Sequence, residues 1–353
     1  MIFNHTGRFE NKQFTIDKEP IENVNSFCYL GFEVKSSGTV KHAMNILNDK
    51  AKKALRPVMT AIARFKIPVE TSIRIFHTYI SPILLYNVEN WATLTDKNVQ
   101  GFDNNSVFVA TSNSKIDLVH RKFLKFILGV SKSCPNLSVY GETGETPLSL
   151  KGYRLTLNFW HRVTNLPDSV LVKKALLENI NLRTNWIMTV EKLINRFDLA
   201  DKIGNNESFK KATRCNIDET YQEFWKTELE THAAGRLEFY REVKNDFYFE
   251  KYLKLQHFEH RKIITKLRCS DHSLEIEKGR HRKIDRQERL CKQCNVGAIE
   301  TETHFLLDCN KYDILKLKHN VVYLSTIQQF MNYMDQNKLG AYLIEAFSFR
   351  DLG

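Results

Sequence analysis

Glycine and proline are scarce in this chain, at 14 and 7 in 353 residues, about half their usual combined share of about 12%. So few turn-formers exclude a collagen-like repeat and argue against a turn-dense β sandwich, and with 42% apolar residues they also argue against disorder. Long apolar runs are missing as well. None approaches the roughly 18–20 residues of a membrane span, and Met1 to Arg8 hold no signal-peptide core, so a nuclear or cytoplasmic protein is expected. Seven cysteines, an odd count, are too sparse for a secreted disulfide scaffold and point to a reducing compartment. The sequence has no Asp-Asp dipeptide and none of the motifs G-x-x-x-x-G-K-[ST], G-x-G-x-x-G or G-x-S-x-G.

Positive charge and helical periodicity are abundant by contrast. Lysine and arginine number 52 against 41 acidic residues, a net +11, which suits an anionic partner, nucleic acid before membrane. Length predicts roughly two domains. Phe14–Asp17 and Ser26–Val34 read as strands, and an opening directly on an apolar strand-like triplet suggests a domain cut through its middle. From Val40 the period changes: Met44, Leu47, Ala51, Leu55, Val58, Ile62 and Phe65 mark one helix face, with Lys41, Lys50, Lys52, Lys53 and Arg56 around the rest. Pro57 should kink or split that helix, and Pro82 should interrupt a second one over 71–87. A polar loop at 103–114 is a candidate boundary. Val119, Phe123, Phe126, Ile127 and Val130 then define an amphipathic helix with Arg121, Lys122 and Lys125 outward. Cys134 to Gly144 reads as turn-rich, further helices follow, and Leu339–Phe347 is a short apolar helix closing the last unit.

Residues 251–290 stand apart, with twelve Lys and Arg against six acidic residues. Within it, 261–289 is either a solvated helix face or a phosphate-binding surface, and the second reading is favoured because a metal motif follows it. Phe258, His260 and His281 are candidate base-stacking residues, although core packing is the expected role of Phe258. Cys291, Cys294, His304 and Cys309 are spaced C-x2-C-x9-H-x4-C, a sulfur-and-imidazole set that closes a structural zinc at four ligands. Arg289 and Lys292 are expected to offset the charge left by three thiolates on a dication. Polymerase or nuclease chemistry needs converging carboxylates. The nearest signal, Glu242-Val243-Lys244, lies far in sequence from Pro167-Asp168. The residues alone describe a helical, basic, zinc-stapled nucleic-acid-binding protein.

Several segments resemble the C-terminal part of reverse transcriptases from non-LTR (LINE-type) retrotransposons. Met1-Ile2-Phe3-Asn4 with Gly7-Arg8 resembles the strand after that family's catalytic Tyr-x-Asp-Asp hairpin, and Phe27-Cys28-Tyr29-Leu30-Gly31 resembles its F-x-Y-L-G primer grip. Ile83–Tyr86 with Glu89–Trp91 is similar to a thumb helix. Phe126–Val130, Cys134–Asn136 and Val139–Glu142 are similar to the helical region that follows. Arg268, His272–Arg280, Arg289–Cys291 and Glu302–Cys309 are similar to the family's C-terminal zinc-knuckle segment, the most specific of these matches.

The resemblance implies a mainly α fold: a palm edge with a short β-hairpin remnant at 1–35, a thumb at 36–102, a helical connector at 103–250, and a basic helix, CCHC knuckle and tail helix at 251–353. The catalytic aspartates, fingers and endonuclease domain of the family have no counterpart here, and Pro57 and Asn310 depart from its pattern. It therefore implies a fragment of an RNA-directed DNA polymerase that is inactive alone, with zinc as its metal and magnesium only in a complete parent. The expected partners are RNA or DNA, as template-primer or target site, and other parts of the parent polyprotein. Tyr29, Leu30 and Gly31 would face a primer strand. Lys41, Lys52, Lys53 and Arg56 would follow duplex phosphates, and Arg280, Arg282 and Lys283 would hold RNA or target DNA. The competing expectations are a zinc-stabilised protein-interaction module and a cryptic nuclease using Glu242.

Overall fold

The computed structural model describes residues 13–92, 108, 114–231, 235–321 and 323–352. The strand-like opening at Met1–Arg8 and most of the polar boundary at 103–114 lie outside them. The described chain is mainly helical, with two small antiparallel hairpins near its start. Among the described residues no helix is long and apolar enough to cross a membrane. Contacts divide the chain into two units that interleave in sequence: residues 1–60, 75–120 and 147–221 in the first, and 61–74, 121–146 and 222–353 in the second.

In the first unit, β1 (Phe14–Ile16) pairs with β2 (Glu19–Ile21) across Asp17 and Lys18, both at positive φ. The run expected as one strand from Ser26 to Val34 instead folds back on itself. β3 (Ser26–Tyr29) pairs with β4 (Phe32–Lys35) across Leu30 at φ 48° and Gly31 at φ 83°. Two consecutive left-handed residues make the tight turn whose twist matches paired strands. The Tyr86 hydroxyl donates to the Leu30 carbonyl and ties down the hairpin tip.

Helix α1 (Lys41–Phe65) buries Met44, Leu47, Ala51, Leu55 and Ile62, as the periodicity requires, while Phe65 is exposed. It runs unbroken through Pro57, which is exposed, so the expected split is absent. The second expected helix is divided: α2 (Val69–Ile75) passes through a π turn, Phe76–Ile80, into α3 (Ser81–Leu84). Pro82 stands in the first turn of α3, where its missing N–H has no intrahelical role. Within the first unit α4 (Val88–Trp91) packs on α7 (Leu148–Thr164), where a Cβ on Gly152 would come 3.0 Å from Val88. Val163, Leu176 and Ile187 form a core shared by α7, α8 (Leu171–Asn181) and α9 (Asn185–Arg196).

Helix α5 (Lys115–Leu128) forms where expected, but two of its three cations do not face freely outward. Arg121 is buried, and Lys125 donates to the carbonyls of Lys132 (2.9 Å) and Cys134 (2.7 Å). The turn-rich reading of 134–144 is also corrected, because Asn136–Thr143 is a helix, α6. Ser138 to Thr143 are all buried, so this helix has no polar face and leaves no amphipathic period in the sequence. Gly141 lies within the second unit, and a Cβ there would come 2.4 Å from the Tyr240 hydroxyl and 2.6 Å from the Trp225 ring.

The second unit also holds the end of α10 (Asn206–Thr231), then α11 (Glu238–Val243), α12 (Phe258–Arg268), α13 (Glu275–His281), α14 (Asp313–Lys318) and α15 (Gln336–Leu352). The tail helix is longer than its apolar stretch Leu339–Phe347. It packs on α12, where Gly340 allows close approach to His260.

Candidate metal centre and basic surfaces

The segment before His304 is a small knuckle. Leu290 and Ile299 form an antiparallel bridge, Cys291 N–H donates to Ala298 O at 2.8 Å, and Glu300 N–H donates to Arg289 O at 2.9 Å. Gly297, at φ 72°, lets the strand return. Cys291 and Cys294 thus flank one tight turn. His304 opens a π turn, His304–Asp308, and Cys309 N–H donates to His304 O at 2.8 Å. The Lys316 ammonium holds the carbonyls of Leu307 (2.7 Å) and Cys309 (3.3 Å).

This folding brings all four sequence-predicted ligands together. The donor atoms of Cys291, Cys294, His304 and Cys309 lie within 4.8 Å of one another, and all four residues are buried. Cys294 Sγ is 3.4 Å from His304 Nε2, so the imidazole presents that nitrogen to the sulfurs. No disulfide joins the cysteines. Burial pushes the Cys309 thiol up to about 12 and raises Cys291, while it lowers His304. Three buried sulfurs and an imidazole gathered this closely form a donor set suited to a metal cation.

Around the quartet is a layer the sequence reading missed. Glu300, 1% exposed, accepts from Arg350 Nε at 2.8 Å and Nη2 at 2.7 Å, and its Oε1 is 4.0 Å from Cys291 Sγ. The backbone N–H of Glu275 donates to the same carboxylate at 2.6 Å, that of Ile276 donates to Glu300 O at 3.2 Å, and Gln293 Nε2 donates to Arg350 O at 3.2 Å. The knuckle, the start of α13 and the end of α15 therefore meet at one carboxylate. Glu300 and Arg350 are fifty residues apart, a separation at which no local pattern reveals a pair. Arg289 and Lys292 have other duties than those expected. Arg289 donates to Ile284 O and Ile276 O, both at 3.0 Å, and Lys292 pairs with Glu275 at 3.3 Å.

The basic candidates divide by partner. Lys41, Lys52, Lys53 and Arg56 are all exposed on α1, and of these Lys52 pairs with Asp49 at 3.3 Å. Downstream, Arg280 is held by Glu277 at 2.7 Å and Arg282 by Glu275, so both are partly neutralised, whereas Lys283 is exposed at positive φ. Tyr29 and Leu30 are exposed at the hairpin tip, 64% and 75%, beside Gly31. Phe258, expected in the core, is exposed. The Glu242–Lys244 pair does not converge: Glu242 is exposed, whereas Lys244 is buried and bonded to Glu250 at 2.6 Å.

No protein-family model, no curated protein and no solved structure matches the chain.

Proposed function

We propose that this chain is a nucleic-acid-holding protein, catalytically incomplete by itself, whose C-terminal knuckle is stapled by structural zinc. The observation that carries the zinc assignment is the buried quartet Cys291, Cys294, His304 and Cys309, with donor atoms within 4.8 Å. Four ligands 2.3 Å or less from a tetrahedral centre sit about 3.8 Å apart at most, which this cluster can meet with small adjustments. Three thiolates and one imidazole complete the coordination sphere, so no position is left for a reactive water. Zinc bound there would hold Glu300 and the elements it joins.

Nucleic-acid binding is supported by the exposed cations Lys41, Lys53 and Arg56 along one helix and by Lys283 beside the knuckle. Read with the primer-grip resemblance at Phe27–Gly31, these are phosphate contacts of a reverse-transcriptase C-terminal region. Salt tests the reading: affinity for a DNA duplex or an RNA–DNA hybrid should fall steeply between 50 and 200 mM salt. Purified, metal-loaded protein that ignores both oligonucleotides, or that extends a primer unaided, overturns it. A protein-docking reading is favoured by Ile314 and Leu317, 78% and 68% exposed on α14. Such an apolar interface would respond little to salt.

A further inference from the structure

The strongly basic stretch 251–290 contains one cation with an unusual setting. Arg261 is only 7% exposed, its Nη1 donates to the backbone carbonyls of Leu255 and Gln256, and among the described residues no carboxylate is in ion-pair range of it. Burial without an offsetting carboxylate holds its pKa below the usual guanidinium value. A guanidinium enclosed without a counter-charge is costly, and an anion from outside would relieve that cost. Beside it is a ring that the sequence placed in the core. Phe258 is 39% exposed, with Arg261 Cζ and Lys262 Nζ each 5.7 Å from its centroid.

The cations are held in place. The stem of Lys262 packs on Gly129, where an added Cβ would come 3.0 Å from Lys262 Cγ, and its ammonium also reaches Glu259 at 3.5 Å. His257, Lys251 and Lys254 are exposed close by in sequence. A lone exposed phenylalanine needs no explanation. One set beside two cations, the more buried of which lacks an acidic partner among the described residues, has the parts of a single-nucleotide subsite.

We infer that Phe258, Arg261 and Lys262 form a subsite for single-stranded nucleic acid, in which a base stacks on the Phe258 ring and the adjoining phosphate is met by the two cations. This rests on the nucleic-acid reading above and adds a strand preference at a named place. A duplex keeps its bases stacked on one another and cannot use the ring, whereas a single strand can.

The test uses the full chain loaded with zinc, titrated into a labelled twelve-nucleotide oligothymidylate and into a duplex of equal length at one salt concentration. Phe258→Leu keeps the apolar bulk and removes the π face. It should weaken single-strand binding about tenfold and leave duplex binding unchanged. Phe258→Trp should restore or improve single-strand binding. Equal single-strand affinity in Phe258→Leu and the unsubstituted protein overturns the subsite while leaving the wider reading standing. So does a tenfold loss in Phe258→Trp. If the unsubstituted protein binds neither oligonucleotide, the wider reading falls and the subsite falls with it.

Discussion

Arg268 is 1% exposed and fully engaged: Nε reaches both Glu142 oxygens at 3.1 and 3.0 Å, Nη2 reaches Glu250 Oε1 at 3.1 Å, and Nη1 reaches Asn332 at 3.3 Å. Burial pulls its pKa down, but Glu142 and Glu250 outweigh burial and hold it above the ordinary guanidinium value. Lys244 neutralises the second carboxylate, and the Tyr252 hydroxyl donates to Glu142 and lies 2.9 Å from the Thr265 hydroxyl. Two acids and two bases are thus enclosed with balanced charge. Replacing one partner leaves a buried charge uncompensated, so Arg268→Ala is expected to cost about 3–5 kcal/mol in denaturant unfolding. A loss under about 1 kcal/mol would contradict the network. Within the same unit, Gly141→Ala should cost about 1–3 kcal/mol by overpacking against Tyr240 and Trp225. Neither site was legible from sequence. Glu142 and Arg268 are 126 positions apart, and Gly141 looked like a turn residue because its helix is buried on every side. The candidate metal ligands were legible for the opposite reason: all four fall within nineteen consecutive residues, and their chemistry is written in their identities.

Periodicity was a sound guide for elements with one wet and one dry face. Helix α1 buries the stripe that its sequence marks and leaves Lys53 and Arg56 exposed. Because these two cations carry no packing, Lys53→Ala with Arg56→Ala should leave the thermal midpoint nearly unchanged. In duplex binding the double variant should flatten the slope of log K against log salt by about 2. An unchanged slope would remove α1 from the interface. Prediction failed where an element is held by a feature without a period. The strand reading of 26–34 missed the return at Leu30-Gly31, since Leu30 is a poor residue for φ 48° and gave no turn signal. Gly31→Val should therefore speed amide exchange across 26–35 in hydrogen-exchange measurements, as a branched side chain is strained at φ 83°.

At the scale of the molecule, excess charge overstates what is available to a ligand. The densest cationic run, 278–283, contributes Arg280 and Arg282 to buried Glu277 and Glu275, so part of it holds α13 in place instead of facing solvent. Composition indicated the helical class correctly but could not show which cations had internal partners. If the quartet holds zinc as proposed, its removal with a chelator should raise hydrogen exchange over 285–312, and Cys294→Ser with Cys309→Ser should abolish stoichiometric zinc measured by elemental analysis. Arg350 bonds to Glu300 and is none of the four candidate ligands, yet Arg350→Ala would leave Glu300 enclosed without its cation. Zinc affinity should then fall roughly 10–100-fold in competition with a chelator.

The bond between Arg350 and Glu300 also bears on the order of assembly. Every candidate ligand leaves the ribosome at least forty-one residues before Arg350 does. A nascent chain can therefore gather its sulfurs while the neighbouring carboxylate still waits for its cation. If the quartet takes zinc as proposed, the knuckle would reach its final grip on the ion late, when the tail folds back over it, and a chain stalled before residue 350 would release zinc readily although it lacks none of the four candidate ligands.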